Sequence, residues 1–160
     1  MRVFLFMTIL LINGCKSIDK NSLVSEFKEL PLHTIFSGSL YGNGTEGISK
    51  RNFMIKNQQD WESLVNKMNL RDDSSLKLKN TSIDFSSDMI ICVFDTLRNT
   101  DGFQLKIDKI ITKNNHTIIN YHLVNPAPKD RVSTVITQPF YILKTKRNNK
   151  DEVIFTNTDN

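Results

Sequence analysis

Cysteine is scarce in this chain. Its 160 residues hold only Cys15 and Cys92, and no paired CxxC motif is present to bind zinc or run thiol chemistry. Glycine (6) and proline (4) are few, as in an ordinary globular domain, and there is no internal repeat or low-complexity block. A surplus of one charge is missing too. The formal net charge is +4, and Lys and Arg are scattered among acidic residues, so no basic stripe offers a nucleic-acid footprint. The longest apolar run, residues 3–12 with Thr8 as its one interruption, is about half of the roughly 20 residues that a membrane-spanning helix needs. Catalytic signatures are absent as well: no GxSxG elbow, no Walker loop and no HExxH. Three histidines, His33, His116 and His122, fall in a polar stretch, a turn and a strand, where surface placement accounts for them. Asp72-Asp73 lacks the alternating oxygen ligands of a calcium loop. Asp84, Asp88 and Asp95 flank an apolar strand; an acid–base pair is conceivable there, yet turn capping explains them without it. These absences point away from an enzyme, with no catalytic residue, no metal and no cofactor expected.

What is present starts with a short positive end, Met1-Arg2, an apolar core at 3–12, and then Asn13-Gly14-Cys15. That is signal-peptide architecture. Ile12-Asn13-Gly14-Cys15 resembles the bacterial lipobox at Ile12, Gly14 and Cys15, with Asn13 standing where a small or aliphatic residue is usual. The chemistry requires cysteine because its thiol carries a diacylglycerol as a thioether, and cleavage before it frees an amino group for a further acyl chain. More than one chain is what makes such anchoring stable, since each buried CH₂ contributes only ~0.8 kcal/mol. The expectation is a signal peptide over 1–14 and lipid attachment at Cys15. The protein would then sit in the cell envelope, anchored to a bacterial membrane and facing the periplasm or the exterior. An ordinary secreted protein is the alternative. Cys92 lies in the apolar run 89–94, which reads as a buried strand and makes it a small hydrophobe rather than a disulfide partner.

Residues 15–33 are polar and mixed, as in a tether, although Val24, Phe27 and Leu30 also stand at helical spacing with Pro31 to end the helix. A single domain is expected over 34–160. A strand followed by a glycine turn is predicted over 34–44, and a half-buried strand about Phe53 and Ile55. Asn57 then caps a helix with Asp60 in a capping-box position, and Trp61, Leu64, Val65 and Met68 follow at i, i+3, i+4 and i+7. Residues 70–82 read as a surface loop, and Asp101-Gly102 as a type I′ hairpin turn before Phe103, Leu105 and Ile107. A turn at 113–116 precedes alternation at Thr117, Ile119, Tyr121 and Leu123; one long strand over 131–145 is interrupted at Pro139, and 153–155 is left to pair at an edge. The fold class is therefore α+β, mostly β: an antiparallel sheet or sandwich of about six to seven strands with one amphipathic helix packed on it. Asn-x-Ser/Thr triplets at Asn43, Asn80 and Asn115 are chance matches in an asparagine-rich chain.

In this order, Gly47-Ile48, the tryptophan helix, Asp84-Phe85 before a buried strand, Arg98, Gly102-Phe103 and Pro139-Phe140 resemble the C-terminal domain of the protease complex subunit PrcB family, from about Gly42 to Lys146. Glu46 and Asp101 stand where serine and a small residue would be usual. The resemblance implies a non-catalytic, often lipid-anchored accessory subunit that binds an exported protease or another envelope protein. The candidate partner-binding residues are Arg98, Gly102, Phe103, Gln138, Pro139 and Tyr141, each with a structural reading beside it: Gly102 and Pro139 shaping turns, Tyr141 packing. A protease inhibitor of the same architecture, with residues 97–102 entering an active site, is the alternative. A hydrolase or sugar-binding protein is a distant third.

Overall fold

The computed structural model describes residues 27–68, 70, 74–147 and 152–159; the signal-peptide stretch, Cys15, Val24 and Asp72-Asp73 lie outside the described residues. In chain order the elements are β1 (Lys28–Leu30), β2 (His33–Leu40), β3 (Arg51–Ile55), α1 (Gln58–Lys67), α2 (Ser74–Lys79), β4 (Asp88–Phe94), β5 (Gln104–Lys113), β6 (His116–Val124), β7 (Gln138–Lys146) and β8 (Glu152–Asn157). They form two four-stranded sheets, β1-β5-β6-β8 and β2-β7-β4-β3. All pairings are antiparallel except β6 with β8, which is parallel. The fold is thus mostly β, as the alternating patterns predict.

Strand β4 explains the layering. Every one of its residues is buried, because the sheet containing it is covered on both sides. Ile90, Cys92 and Phe94 join Trp61, Leu64, Val65 and Leu78 in a core beneath the helices. Met89, Ile91 and Val93 join Leu105, Ile107, Ile110 and Ile119 in a second core between the sheets. A continuous apolar run, rather than an alternating one, is what such a strand requires. Each large side chain buried in these cores contributes about 1.5–3 kcal/mol. Burial pushes the Cys92 thiol far up, so it stays protonated and inert.

On the helix-facing side, four rings line up across the four strands: Phe53 on Phe94 at 5.9 Å, Phe94 on Phe140 at 5.6 Å and Phe140 on Phe36 at 5.7 Å. Each such pair adds about 0.5–1.5 kcal/mol beyond its buried area. Gly38, paired with Phe140, leaves room for the last stack, since a Cβ there would lie 3.1 Å from the Phe36 ring. Helix α1 is capped as predicted: the Asn57 side chain accepts from the Asp60 N–H at 2.9 Å and donates to the Asp60 carboxylate at 2.8 Å.

The structure departs from the sequence-based expectation in four places. Within 70–82, Ser74–Lys79 forms α2 rather than a loop, because Leu78 is fully buried and Lys77 and Lys79 suit a helix C-terminus. Lys28–Leu30, one residue of which fits the helical spacing, pairs with β5 as a strand. The type I′ geometry lies at Asn114-Asn115, both with positive φ, between the paired residues Lys113 and His116. At Asp101-Gly102 only Gly102 has positive φ, and no hairpin forms, because β4 and β5 belong to different sheets. Finally, residues 131–136 precede β7 as irregular chain instead of extending it.

Candidate protein-binding site

The registers place one set of strand ends together. Leu40 lies beside Gln138, Phe94 beside Phe140, Arg51 beside Phe94, and Gln104 beside Val124. The connections 41–50, 95–103 and 125–137 therefore share one pole. The N-terminal described residue is at the other: the Phe27 ring lies 4.2 Å from Lys113 Nζ, next to the β5–β6 turn.

Two of the pole's loops are stitched to each other. Arg98 and Thr137 exchange main-chain hydrogen bonds at 2.8 and 2.9 Å, and the Asp101 carboxylate accepts from the Ser133 N–H at 2.8 Å. Gly102, at φ +89, passes close to Pro126 and Val132; a Cβ would lie 3.0 Å from the first and 3.1 Å from the second, so both conformation and space call for glycine. Arg98 grips the buried carboxylate of Asp95, Nε at 2.7 Å and Nη2 at 2.6 Å from Oδ2, with Lys50 Nζ 3.5 Å from Oδ1. The Arg98 guanidinium also lies over Phe103, 4.9 Å from the ring centre. A charge at 5% exposure is tolerable only with such partners.

Gln138 and Pro139 belong to the same construction from within. The Asp95 N–H donates to Pro139 C=O at 2.9 Å, which continues the β4–β7 ladder by one residue. Pro139 has no N–H to return the bond. The side-chain amide of Gln138 supplies it instead, donating to Asp95 C=O at 2.9 Å and to Ile48 C=O at 2.7 Å. Gln138 is 2% exposed, so its amide holds the pole together rather than facing solvent. Tyr141 is also buried, its hydroxyl hydrogen-bonded to Thr34. Of the six candidates, the structure brings Arg98, Gly102 and Phe103 to the surface and puts Gln138, Pro139 and Tyr141 beneath them.

Other residues emerge that the sequence reading did not single out. Leu97, Val132 and Ile136 are exposed at 45%, 38% and 38%, all on the two stitched loops. Their signal was apolar side chains outside any periodic pattern, but Val132 and Ile136 fit an alternating strand equally well. A cleft of about 580 Å³ runs from this pole between β2 and β5, lined by Ser37, Ser39, Tyr41, Phe103, Leu105 and Tyr141 among others. His33 and His116 lie toward the other pole, whereas His122 lines a cleft with Arg98, Asp108 and Asp159. His33 begins β2; His116 Nδ1 is 3.1 Å from Glu152, and His122 Nδ1 is 2.7 Å from Asp108, the unpaired residue of a β-bulge. Among the described residues, no three His, Cys, Asp or Glu side chains gather as a metal site would require, and no helix is long and apolar enough to cross a membrane.

The profile of the family described as PrcB C-terminal matches residues 89–146. That stretch is β4 to β7 with the loops between them, and it contains all six candidate residues. It leaves out 42–88, including the tryptophan helix. The family is not known as catalytic. No curated protein and no solved structure matches the chain.

Proposed function

We propose that this chain is a non-catalytic, lipid-anchored envelope protein that binds an exported protease as its accessory subunit. The observation that carries the reading is the polarity of the domain. Exposed Leu97, Val132 and Ile136 lie on the same two joined loops as Arg98 and Phe103, at the pole away from the one that Phe27 approaches. Apolar side chains clustered on rigid, hydrogen-bonded loops are the composition of an interface core, with arginine and an aromatic as its anchors. A tether on Cys15 would leave that pole pointing away from the bilayer. The PrcB C-terminal match over these loops supports the same partner class.

Affinity purification of the full chain from membranes of its own cells tests this. The wild type is expected to fractionate with membranes and to bring down an exported protease that it protects from autolysis, while Cys15→Ala is released into the soluble fraction. Leu97→Asp combined with Ile136→Asp should lose the protease and keep its melting temperature. If that double variant captured the protease as well as the wild type, the pole would not be the interface. A captured protease with lowered activity would favour the inhibitor, with residues 97–102 at its active site.

A further inference from the structure

Four strands end the two sheets, and two of them are guarded along their length. β1 is three residues long and carries Lys28 and Glu29. β3 has Arg51 lying over Phe53, and the cleft along it is lined by Asp60, Ser63 and Lys67 of α1. β8 carries a charge only at its first residue, Glu152, and faces no cleft comparable to the one beside β2 among the described residues. Short length, charge and covering elements are the usual means by which an edge is kept from pairing with another chain. Beyond Phe36, whose ring has Lys77 of α2 6.0 Å above it, β2 carries no such device: Ser-Gly-Ser-Leu is uncharged, contains no proline, and follows the bulge at Thr34/Phe36 instead of including it.

The ladder shows which of its main-chain groups are open. Pro139 turns its C=O toward Asp95 on β4, so its partner across the other side, Ser39, directs both N–H and C=O away from β7; Ser37, opposite Tyr141, repeats this two residues earlier. Across the cleft, Tyr121 C=O and Leu123 N–H bond to Thr158 and Asp159, so their partners Ile107 and Leu105 likewise turn their main-chain groups outward. Among the described residues none of these groups has a hydrogen-bond partner. The side chains of Ser37 and Ser39 are small, and the cleft beside them is lined also by Tyr41, Asp101, Gln104 and Lys106.

We infer that the β2 edge is a strand-addition site that takes an extended segment of a partner polypeptide into the cleft. Main-chain bonds to Ser37 and Ser39 supply affinity, and alternate side chains of the segment face opposite sides of the extended sheet. The inference rests on the protein-binding reading above and names how the partner is held.

Proline at an outward-facing N–H removes a donor that the native fold does not use, so Ser39→Pro tests main-chain recognition while Ser39→Ala tests the hydroxyl. The probe is a phage-displayed library of linear peptides panned on the full chain, with the selected peptide then titrated by fluorescence polarisation. Wild type and Ser39→Ala should bind alike, and Ser39→Pro about tenfold or more weaker at an unchanged melting temperature. Amide exchange at Ser37 and Ser39 in the wild type should slow when the peptide is bound; this readout stands even if the proline variant fails to fold. Equal binding by Ser39→Pro, unprotected Ser37 and Ser39 amides, no selected peptide at all, or a wild-type dimer occupying the edge would each overturn the inference. Capture of a protease that is indifferent to Ser39→Pro would leave the accessory-subunit reading standing and remove this one. Peptide binding at β2 with no protease in the membrane purification would do the reverse.

Discussion

At the scale of single residues, Gln138 shows how a proline is accommodated inside a paired strand. Pro139 removes one donor from the β4–β7 ladder, and the neighbouring side chain replaces it while tying down Ile48 in the next loop. Replacing Gln138 with leucine keeps the volume but leaves two buried carbonyls without donors. Thermal or urea denaturation of Gln138→Leu should show a loss of about 2–4 kcal/mol, well above that of an ordinary surface change. None of this was legible in the sequence. A glutamine before a proline suggests an irregular, exposed point, and which side of a strand lacks its N–H depends on register, which periodicity does not carry. Cys92 was legible, by contrast, because six apolar residues in a row leave no face for a reactive thiol.

At the scale of elements, signal strength followed length. Helix α1 declares itself through its cap and its spaced apolar residues, and the whole motif lies within a dozen positions. Its cap can be weighed directly: Asn57→Ala deletes the acceptor for the Asp60 N–H and should cost about 1 kcal/mol in denaturant unfolding, with the change confined to the midpoint and not the slope. Helix α2 is six residues with a single buried side chain, Leu78, too short for any period to show. β1 is hidden for the same reason, since a three-residue strand exists only because β5 is there to pair with it. Composition favours Asp-Gly for the hairpin turn, yet two asparagines adopt positive φ where the register of β5 and β6 demands it.

For the whole molecule, two exposed carboxylates couple folding to acidity. Hydrogen bonds from Ser86 and Ser87 hold the Asp84 carboxyl below its ordinary 3.8, and the Leu123 N–H does the same for Asp159. Both groups bind their proton less readily when folded, so their stabilisation is complete above the unfolded pKa and is lost as pH falls through the lowered folded value. Melting temperature should therefore be level at neutral pH and fall below about pH 4, and Asp159→Asn should show a shallower acid drop than the wild type. The layered β architecture was legible because alternation and continuous apolar runs report which faces are covered; the choice between one sheet and a sandwich, and which strands share a sheet, were not, since they depend on which distant strands meet. One of those meetings governs how the chain assembles. Strand β2 lies against β7, and its Thr34 meets Tyr141 from 107 residues away. A chain synthesised from its N-terminus holds an uncharged, unpaired strand until β7 is made, so formation of the second sheet waits on late residues and the domain belongs among slow-folding, high contact-order topologies.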